Sequence, residues 1–231
     1  MKLYGLQKMT LLDFPEHVAC TVFTGGCNLR CPFCHNALLV TQLDDSSVIY
    51  DDEFFAFLQK RKGLLDGVCI TGGEPLMQPD IEEFIIKIKQ LGFKVKLDTN
   101  GCFLEKLKAL VEKNLLDFVA VDIKNSKEKY ALTVGINNFD VSPIEQTVDF
   151  LLSQNKVDFE FRTTVCSPLH EIEDVEKIAL WIKGTKHYYL QNFVDSGNLI
   201  GENVTSLDKE TLNKMLKEAQ SIIPSAQVRG I

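Results

Sequence analysis

The sequence has no apolar run that approaches the ~18 residues needed to cross a membrane as a helix. Its amino-terminal residues, MKLYGLQKMTLLDFPEH, also lack the uninterrupted apolar core and the small-residue cleavage site of a signal peptide. Lysine and arginine are outnumbered by aspartate and glutamate, 25 against 32, which gives a formal net charge of −7. A nucleic-acid-binding protein would show clustered basic residues instead. We therefore expect a cytoplasmic protein with neither a membrane nor a nucleic acid as partner.

The seven cysteines are an odd number in a chain without an export signal, which argues against a disulfide framework and favours metal or redox chemistry. Four of them, Cys20, Cys69, Cys102 and Cys166, occur singly in apolar or strand-like segments. We interpret these four as buried, inert thiols, because free cysteine packs as a small apolar residue.

Short apolar, β-branched runs alternate with longer segments of helical period. Strands are predicted at 18–26, 67–73, 94–101, 118–124, 158–165 and 187–193, with a last short strand at 226–230. Helices are predicted at 51–63, 80–92, 104–114, 142–155, 171–184 and 207–223. This alternation predicts an α/β fold with a parallel sheet, either doubly wound or a barrel of fewer than the usual eight units. Residues 1–231 show no linker or change of composition, so a single domain is expected.

The unusual residues follow the predicted strands. A cysteine loop, GGCNLRCPFCHN (25–36), follows the first strand, and TGGEP (71–75), DTNG (98–101) and DIK (122–124) end the next three. Arg162 lies in the fifth strand and Gln191 with Asn192 in the sixth. Because ligands bind beyond the carboxyl ends of parallel strands, these motifs are expected to meet at one rim.

Cys27, Cys31 and Cys34 in the cysteine loop have the spacing CxxxCxxC. Thiolates select iron–sulfur clusters or zinc, but a closed site requires a fourth ligand. His35 directly adjoins Cys34, too close in sequence for both side chains to reach one metal with good geometry. Structural zinc with a Cys₃His set is an alternative, although the sequence has no second CxxC and no HxxxH.

This spacing, with the aromatic Phe33 before the last cysteine, resembles the signature of the radical S-adenosylmethionine (SAM) superfamily. The resemblance covers essentially the whole chain and implies a partial (β/α)6 TIM-like barrel. It also implies that three cysteines bind three irons of a [4Fe–4S] cluster and leave the fourth iron to SAM. In that family Gly72, Gly73 and Glu74 would belong to the second SAM-binding motif, and Phe33 and Asn36 would flank SAM beside the last cysteine.

The carboxylates and cations of the later motifs suit the remaining groups of SAM. Lys124 and Arg162 suit its carboxylate, and acidic side chains suit its ribose and cationic parts. In glycyl-radical activating enzymes, similar Asp-Thr and Asp-x-Lys pairs also help to hold a monovalent cation beside SAM, a role that the resemblance assigns to Asp98, Thr99 and Asp122. The alternative is that the carboxylates of Asp98 and Asp122 only accept hydrogen bonds that cap their own loops.

The continuation CHN after the last cysteine and LLDFP at 11–15 resemble the activating enzymes of pyruvate formate-lyase and, more closely, of anaerobic ribonucleoside-triphosphate reductase. The resemblance implies reductive SAM cleavage and a 5′-deoxyadenosyl radical that generates a glycyl radical on that partner. A flavodoxin- or ferredoxin-type protein would supply the electron. The pyruvate formate-lyase type has a SAM-contacting histidine near the end of the sixth strand, where this chain offers only Gln191 or Asn192.

Two other functions remain open at this point. The chain could be a radical SAM enzyme for a small molecule, similar to the short 7-carboxy-7-deazaguanine synthases, which usually lack the CHN continuation. It could also be a non-catalytic metal-binding or electron-transfer protein, which would leave GGEP, DTNG and DIK unexplained. His17, His170 and His187 have no ligand spacing and are assigned no role.

Overall fold

A nine-stranded sheet forms the centre of the molecule in this computed structural model, which describes residues 1–195 and 197–229. Its strands are β1 Lys2–Thr10, β2 Ala19–Thr24, β3 Ile49–Tyr50, β4 Gly67–Gly72, β5 Lys94–Thr99, β6 Phe118–Asp122, β7 Asp158–Val165, β8 Tyr188–Asn192 and β9 Gln227–Arg229. Their order is β3-β1-β2-β4-β5-β6-β7-β8-β9. The pairs from β2 to β9 are all parallel, whereas β1 is antiparallel to both β2 and β3.

Eight α-helices accompany the described strands: α1 Ala37–Thr41, α2 Asp51–Gln59, α3 Ile81–Gln90, α4 Leu104–Glu112, α5 Tyr130–Val134, α6 Ser142–Ser153, α7 Ile172–Trp181 and α8 Lys209–Ile222. All six predicted βα units are present, so the predicted α/β fold with a partial barrel is confirmed. The predicted last strand is observed over Gln227–Arg229, and Gly230 lies outside the described residues. No helix in the described part of the chain is both long and apolar enough to span a membrane.

Four elements were not predicted from the sequence: β1, β3, α1 and α5. The two helices have five residues each, too few for a helical period to be recognised. Strand β1 contains a glycine and shows two register shifts against β2, so its side chains do not alternate cleanly. Strand β3 has only two residues.

One contiguous apolar core joins the strands to the helices. In α3 the apolar stripe Ile81, Phe84, Ile85 and Ile88 is buried, as its i, i+3, i+4, i+7 spacing requires. Phe84 stacks on Phe54 of α2 with ring centroids 5.3 Å apart. This packing holds β4 and β5 in place, and the loops that follow these strands belong to the site.

Candidate functional site

A cavity of about 210 Å³ opens at the carboxyl ends of the parallel strands. All of the predicted site residues except Glu74 line it: Cys27, Cys31, Phe33, Cys34, Asn36, Gly72, Gly73, Asp98, Thr99, Asp122, Lys124 and Arg162. The motifs therefore meet at one rim, as their positions after successive strands predicted. Leu29 and Val40 add apolar surface to the cavity, and Gln191 adds an amide from β8.

Backbone hydrogen bonds support the cysteine loop from three directions. The N–H of Gly26 donates to the Leu39 carbonyl of α1 over 2.7 Å, and the N–H of Arg30 donates to the Val134 carbonyl of α5 over 2.9 Å. The N–H of Gly201 donates to the Pro32 carbonyl over 3.0 Å. The two short helices that sequence patterns missed thus hold the loop in position.

The three cysteine thiols of the loop lie in a desolvated environment. Burial raises the pKa of Cys27, Cys31 and Cys34, that of Cys31 to about 12. The neutral thiol is therefore favoured until a metal displaces the proton. A second amide residue, Asn100, reaches toward Cys27: its Nδ2 lies 3.8 Å from the Cys27 sulfur and 2.8 Å from Asn28 Oδ1. Asn100 follows Thr99 in DTNG, but nothing in its residue type indicated that its side chain would lie beside Cys27.

The two glycines of TGGEP allow the loop after β4 to lie directly against the backbone that precedes Cys27. A Cβ atom on Gly72, which has a φ of +112°, would overlap the Thr24 backbone, and one on Gly73 would overlap the Gly26 carbonyl oxygen. The N–H of Gly73 donates to Thr24 O and that of Glu74 to Gly26 O, both over 2.8 Å. The close approach that these glycines permit is therefore between two segments of the chain itself.

Asn36 connects the other end of the cysteine loop to the same segment, because its Nδ2 donates to the Gly72 carbonyl over 2.7 Å. Phe33 is buried and lies edge-on to His170, with ring centroids 6.0 Å apart. His170 in turn is hydrogen-bonded to the Lys124 carbonyl over 2.8 Å. It is a satisfied core histidine, in agreement with the sequence analysis.

Glu74 does not line the cavity, because its carboxylate turns into the protein. It accepts hydrogen bonds from the backbone N–H of Leu76 (3.0 Å), from Thr99 Oγ1 (2.8 Å) and from the backbone N–H of Asn100 (2.7 Å). Burial raises its pKa to about 7, although these three donors lower it. In this geometry the Glu74 side chain joins the loops after β4 and β5.

Five charged side chains form a network, of which four line the cavity and Lys96 lies behind them: Lys96, Asp98, Asp122, Lys124 and Arg162. Arg162 Nη1 lies 3.2 Å from Asp98 Oδ2, and its Nε donates to Asp122 Oδ1 over 2.8 Å. Lys124 Nζ donates to Asp122 Oδ2 over 3.1 Å, and Lys96 Nζ donates to Asp98 Oδ1. Lys96 was not predicted as a site residue, although its position two residues before Asp98 on β5 places both side chains on one face of the strand.

Electrostatic effects keep both carboxylates of the network ionised. Burial alone would raise the pKa of Asp98 and of Asp122, but the neighbouring Arg162 and lysine cations outweigh this effect and lower both. The same contacts raise the pKa of Lys96, Lys124 and Arg162 against the opposing effect of burial. All five groups are thus charged at neutral pH.

The sixth strand contributes Gln191 to the cavity, whereas Asn192 is engaged elsewhere. The Asn192 amide exchanges two hydrogen bonds with the backbone of Leu207, over 2.9 and 3.0 Å. Of the two alternatives for the sixth-strand contact, the geometry therefore favours Gln191.

The donor set fits an iron–sulfur cluster. Three thiols and a set of charged and amide groups face one cavity, and in a cluster each thiolate binds a different iron. Within residues 1–195 and 197–229, no three His, Cys, Asp or Glu side chains are grouped tightly enough to hold a single metal ion.

Comparisons with known proteins identify similar sequences and folds. The family model described as Radical SAM superfamily matches residues 21–182. A Methanocaldococcus jannaschii protein named as a glycyl-radical enzyme activating enzyme is 32% identical over 196 residues, 82% of this chain and 78% of that protein. The pyruvate formate-lyase-activating enzyme of Listeria monocytogenes is 28% identical over 195 residues, 79% of this chain and 76% of that enzyme.

The fold also resembles a solved structure, Streptococcus suis SuiB bound to S-adenosylmethionine. The TM-score is 0.69 at 16% sequence identity, and the match covers 90% of this chain and 49% of that one. The chain thus spans about half the length of SuiB, and this likeness concerns the fold alone.

Proposed function

Because the chain belongs to the radical SAM superfamily, whose enzymes use a [4Fe–4S] cluster and SAM, we propose that it activates a glycyl-radical enzyme. The observation that supports this most directly is the single cavity shared by the three cysteines and the motifs of the four following strands. When bound, the reduced cluster and SAM supply a 5′-deoxyadenosyl radical that takes a hydrogen atom from a backbone glycine.

The proposed roles of the chain's own residues are to bind the cluster, to orient SAM and to shield the cavity from water. Cys27, Cys31 and Cys34 are the proposed cluster ligands. Lys124 is the proposed partner of the SAM carboxylate, since an ammonium has three protons and Asp122 takes one among the described contacts. Apolar groups such as Leu29 and Phe33 exclude water from the cavity.

Asn36, Gly72, Gly73 and Thr99 are the other proposed SAM-binding residues, and Glu74 is proposed to position Thr99. Its carboxylate holds Thr99 and Asn100 against the loop after β4, so its effect on SAM passes through these residues. Asp98 and Asp122 fix the direction of Arg162.

The proposed partner is an anaerobic ribonucleoside-triphosphate reductase, with a flavodoxin- or ferredoxin-type protein as electron donor. Support comes from CHN after Cys34, from LLDFP at 11–15 and from the activating enzymes among the relatives. We also propose that residues 1–231 form one radical SAM domain that acts in the cytoplasm, where thiols such as the seven free cysteines remain reduced.

The test is anaerobic incubation of the reconstituted protein with SAM, a reductant and the anaerobic reductase, followed by electron paramagnetic resonance. A glycyl doublet is expected with the reductase and a weaker one or none with pyruvate formate-lyase, while the Cys34→Ala variant gives no signal with either. Silence with both partners while a small substrate such as a deazaguanine precursor is consumed would contradict the proposal.

A further inference from the structure

The resemblance to activating enzymes implies a monovalent cation at Asp98, Thr99 and Asp122, but the residues of this chain do not fit one. Each of the four carboxylate oxygens of Asp98 and Asp122 already accepts from a cationic side chain: Lys96, Arg162 through two of its nitrogens, and Lys124. The Thr99 hydroxyl donates to Glu74, and its oxygen accepts from the backbone N–H of Gly101 over 3.2 Å.

The charge balance of the network also disfavours a further cation. Lys96, Lys124 and Arg162 contribute three positive charges against the two negative charges of Asp98 and Asp122. One further acid, Glu160, lies 3.9 Å from Arg162 but forms a bidentate pair with Arg229 over 2.9 and 3.0 Å. Glu160 and Arg229 cancel each other, so the network keeps an excess of one positive charge.

Lys96 is the member of the network that has no other evident role. It is only 1% exposed and does not line the cavity, so it does not reach SAM directly. Burying an ammonium is unfavourable unless it is well paired, and the ion-pair partner of Lys96 among the described residues is Asp98. A compact monovalent charge held beside Asp98 is what a bound potassium or sodium ion would supply at this place.

We propose that the ammonium of Lys96 takes the place of the monovalent cation, so that this chain binds SAM without potassium or sodium. Lys96 is then a positioning residue: it holds Asp98, and Asp98 together with Asp122 holds Arg162. The inference rests on SAM binding in the proposed function but is independent of which protein receives the radical.

The first test uses the cluster-free protein, so that its result does not depend on activity. Thallium(I) serves as a potassium probe in NMR titrations of the wild-type protein, Lys96→Ala, Lys96→Met and Lys94→Ala. Saturable thallium binding that potassium displaces is expected only in Lys96→Ala, where a space opens beside Asp98. Lys96→Met keeps the volume filled, and Lys94→Ala removes an exposed lysine of the same strand.

The second test measures SAM binding by the reconstituted protein in buffers of equal ionic strength that contain potassium, sodium or only a bulky organic cation. Wild type and Lys94→Ala should bind SAM equally in all three. Lys96→Ala should bind about tenfold more weakly, a change of about 1.4 kcal/mol, and should recover in potassium or with methylammonium. Lys96→Met should lose the same affinity without recovery.

Any of three results would overturn the inference. The first two concern the wild type: thallium binding that potassium displaces, or SAM affinity that depends on potassium. The third is a Lys96→Ala variant that binds SAM normally in the buffer with the organic cation. Thermal unfolding of each variant identifies any that fail to fold, and in that case thallium binding by the wild type decides. The glycyl doublet is measured in a separate experiment. If the cation tests contradict the role of Lys96, the proposed function is unaffected, and if the doublet is missing, the result on cation binding is unaffected.

Discussion

The three cysteine side chains of the loop are protonated and largely buried before a cluster binds. Burial raises the pKa of each, and for Cys31 the value reaches about 12. Iron binding must therefore displace three protons, so cluster affinity should increase with pH over the range in which the fold is stable. The other four cysteines are also free thiols, but they do not line the cavity.

The first prediction concerns these residues. Replacing Cys27, Cys31 or Cys34 by Ala should remove most of the about four irons per chain that a [4Fe–4S] cluster contains and abolish SAM cleavage. Cys166→Ala is the matched control, because Cys166 is buried and lies outside the cavity. Iron analysis and 5′-deoxyadenosine formation with dithionite measure both effects. An active Cys34→Ala variant would exclude the proposed cluster ligands.

The buried Glu74 carboxyl should make the stability of the fold depend on pH. Its pKa of about 7 in the folded protein exceeds the usual 4.5, so the folded state holds the proton more tightly than the unfolded chain does. The stability it contributes is then greatest below pH 4.5 and falls as the pH rises to about 7, by roughly 3 kcal/mol.

Urea unfolding of the wild type and of Glu74→Leu between pH 5 and pH 8 measures this contribution. The variant should be less stable at both values, because three donors lose their acceptor at a cost of about 1–3 kcal/mol each. The difference between the two proteins should shrink toward pH 8. A difference that stays constant with pH would show that Glu74 does not titrate in this range.

At the scale of elements, the site depends on how the segment after β4 packs on the cysteine loop. Gly72 and Gly73 leave no space for a side chain between these segments, and the hydrogen bond from Asn36 to Gly72 joins them from the other side. The position of the thiols relative to the loop after β4 is therefore set by backbone contact.

A glycine substitution tests this packing. Gly73→Ala should lower the free energy of unfolding by about 3 kcal/mol and prevent cluster assembly, because its Cβ overlaps Gly26 O. Gly92→Ala is the control: it has a φ of +92° but no atom within 4 Å of the added carbon. It should cost only the left-handed strain of about 1–2 kcal/mol and leave iron content unchanged. Equal iron loss in both variants would contradict the packing argument.

At the scale of the whole molecule, the sheet and its helices share one contiguous core. We predict that the cluster-free chain unfolds in urea in one transition, because a single core couples all of its elements. Trp181 is the only tryptophan and lies edge-on to Tyr130, with ring centroids 6.1 Å apart, so its fluorescence reports on the packing of α7 and α5. Fluorescence and far-ultraviolet circular dichroism should therefore give coincident midpoints. Separate midpoints would indicate two units and contradict the single domain.

Much of this architecture could be predicted because its signals are local. Strands β2 and β4 to β8 are apolar runs bounded by turns, and α3 has a clear apolar stripe, so six βα units followed from periodicity. Strand β1 could not be predicted because its partner β2 and its register shifts, rather than its own pattern, determine its conformation.

The amino-acid sequence alone was enough to predict the family and the three cysteines proposed as cluster ligands, because three cysteines with fixed spacing in one loop are a short-range pattern. It also determined the rim at which the motifs gather, because parallel strands all end on the same side. Only the tertiary structure decided what Glu74 and Lys96 contact. The partners of Glu74, Thr99 and Asn100, follow it by 25 and 26 positions in the sequence. Asp98, the partner of Lys96, also faces Arg162, which lies on a different strand of the sheet. Side-chain direction in a packed barrel depends on neighbours that are distant in sequence, and this is why the charge balance of the ion-pair network could not be predicted from the motifs.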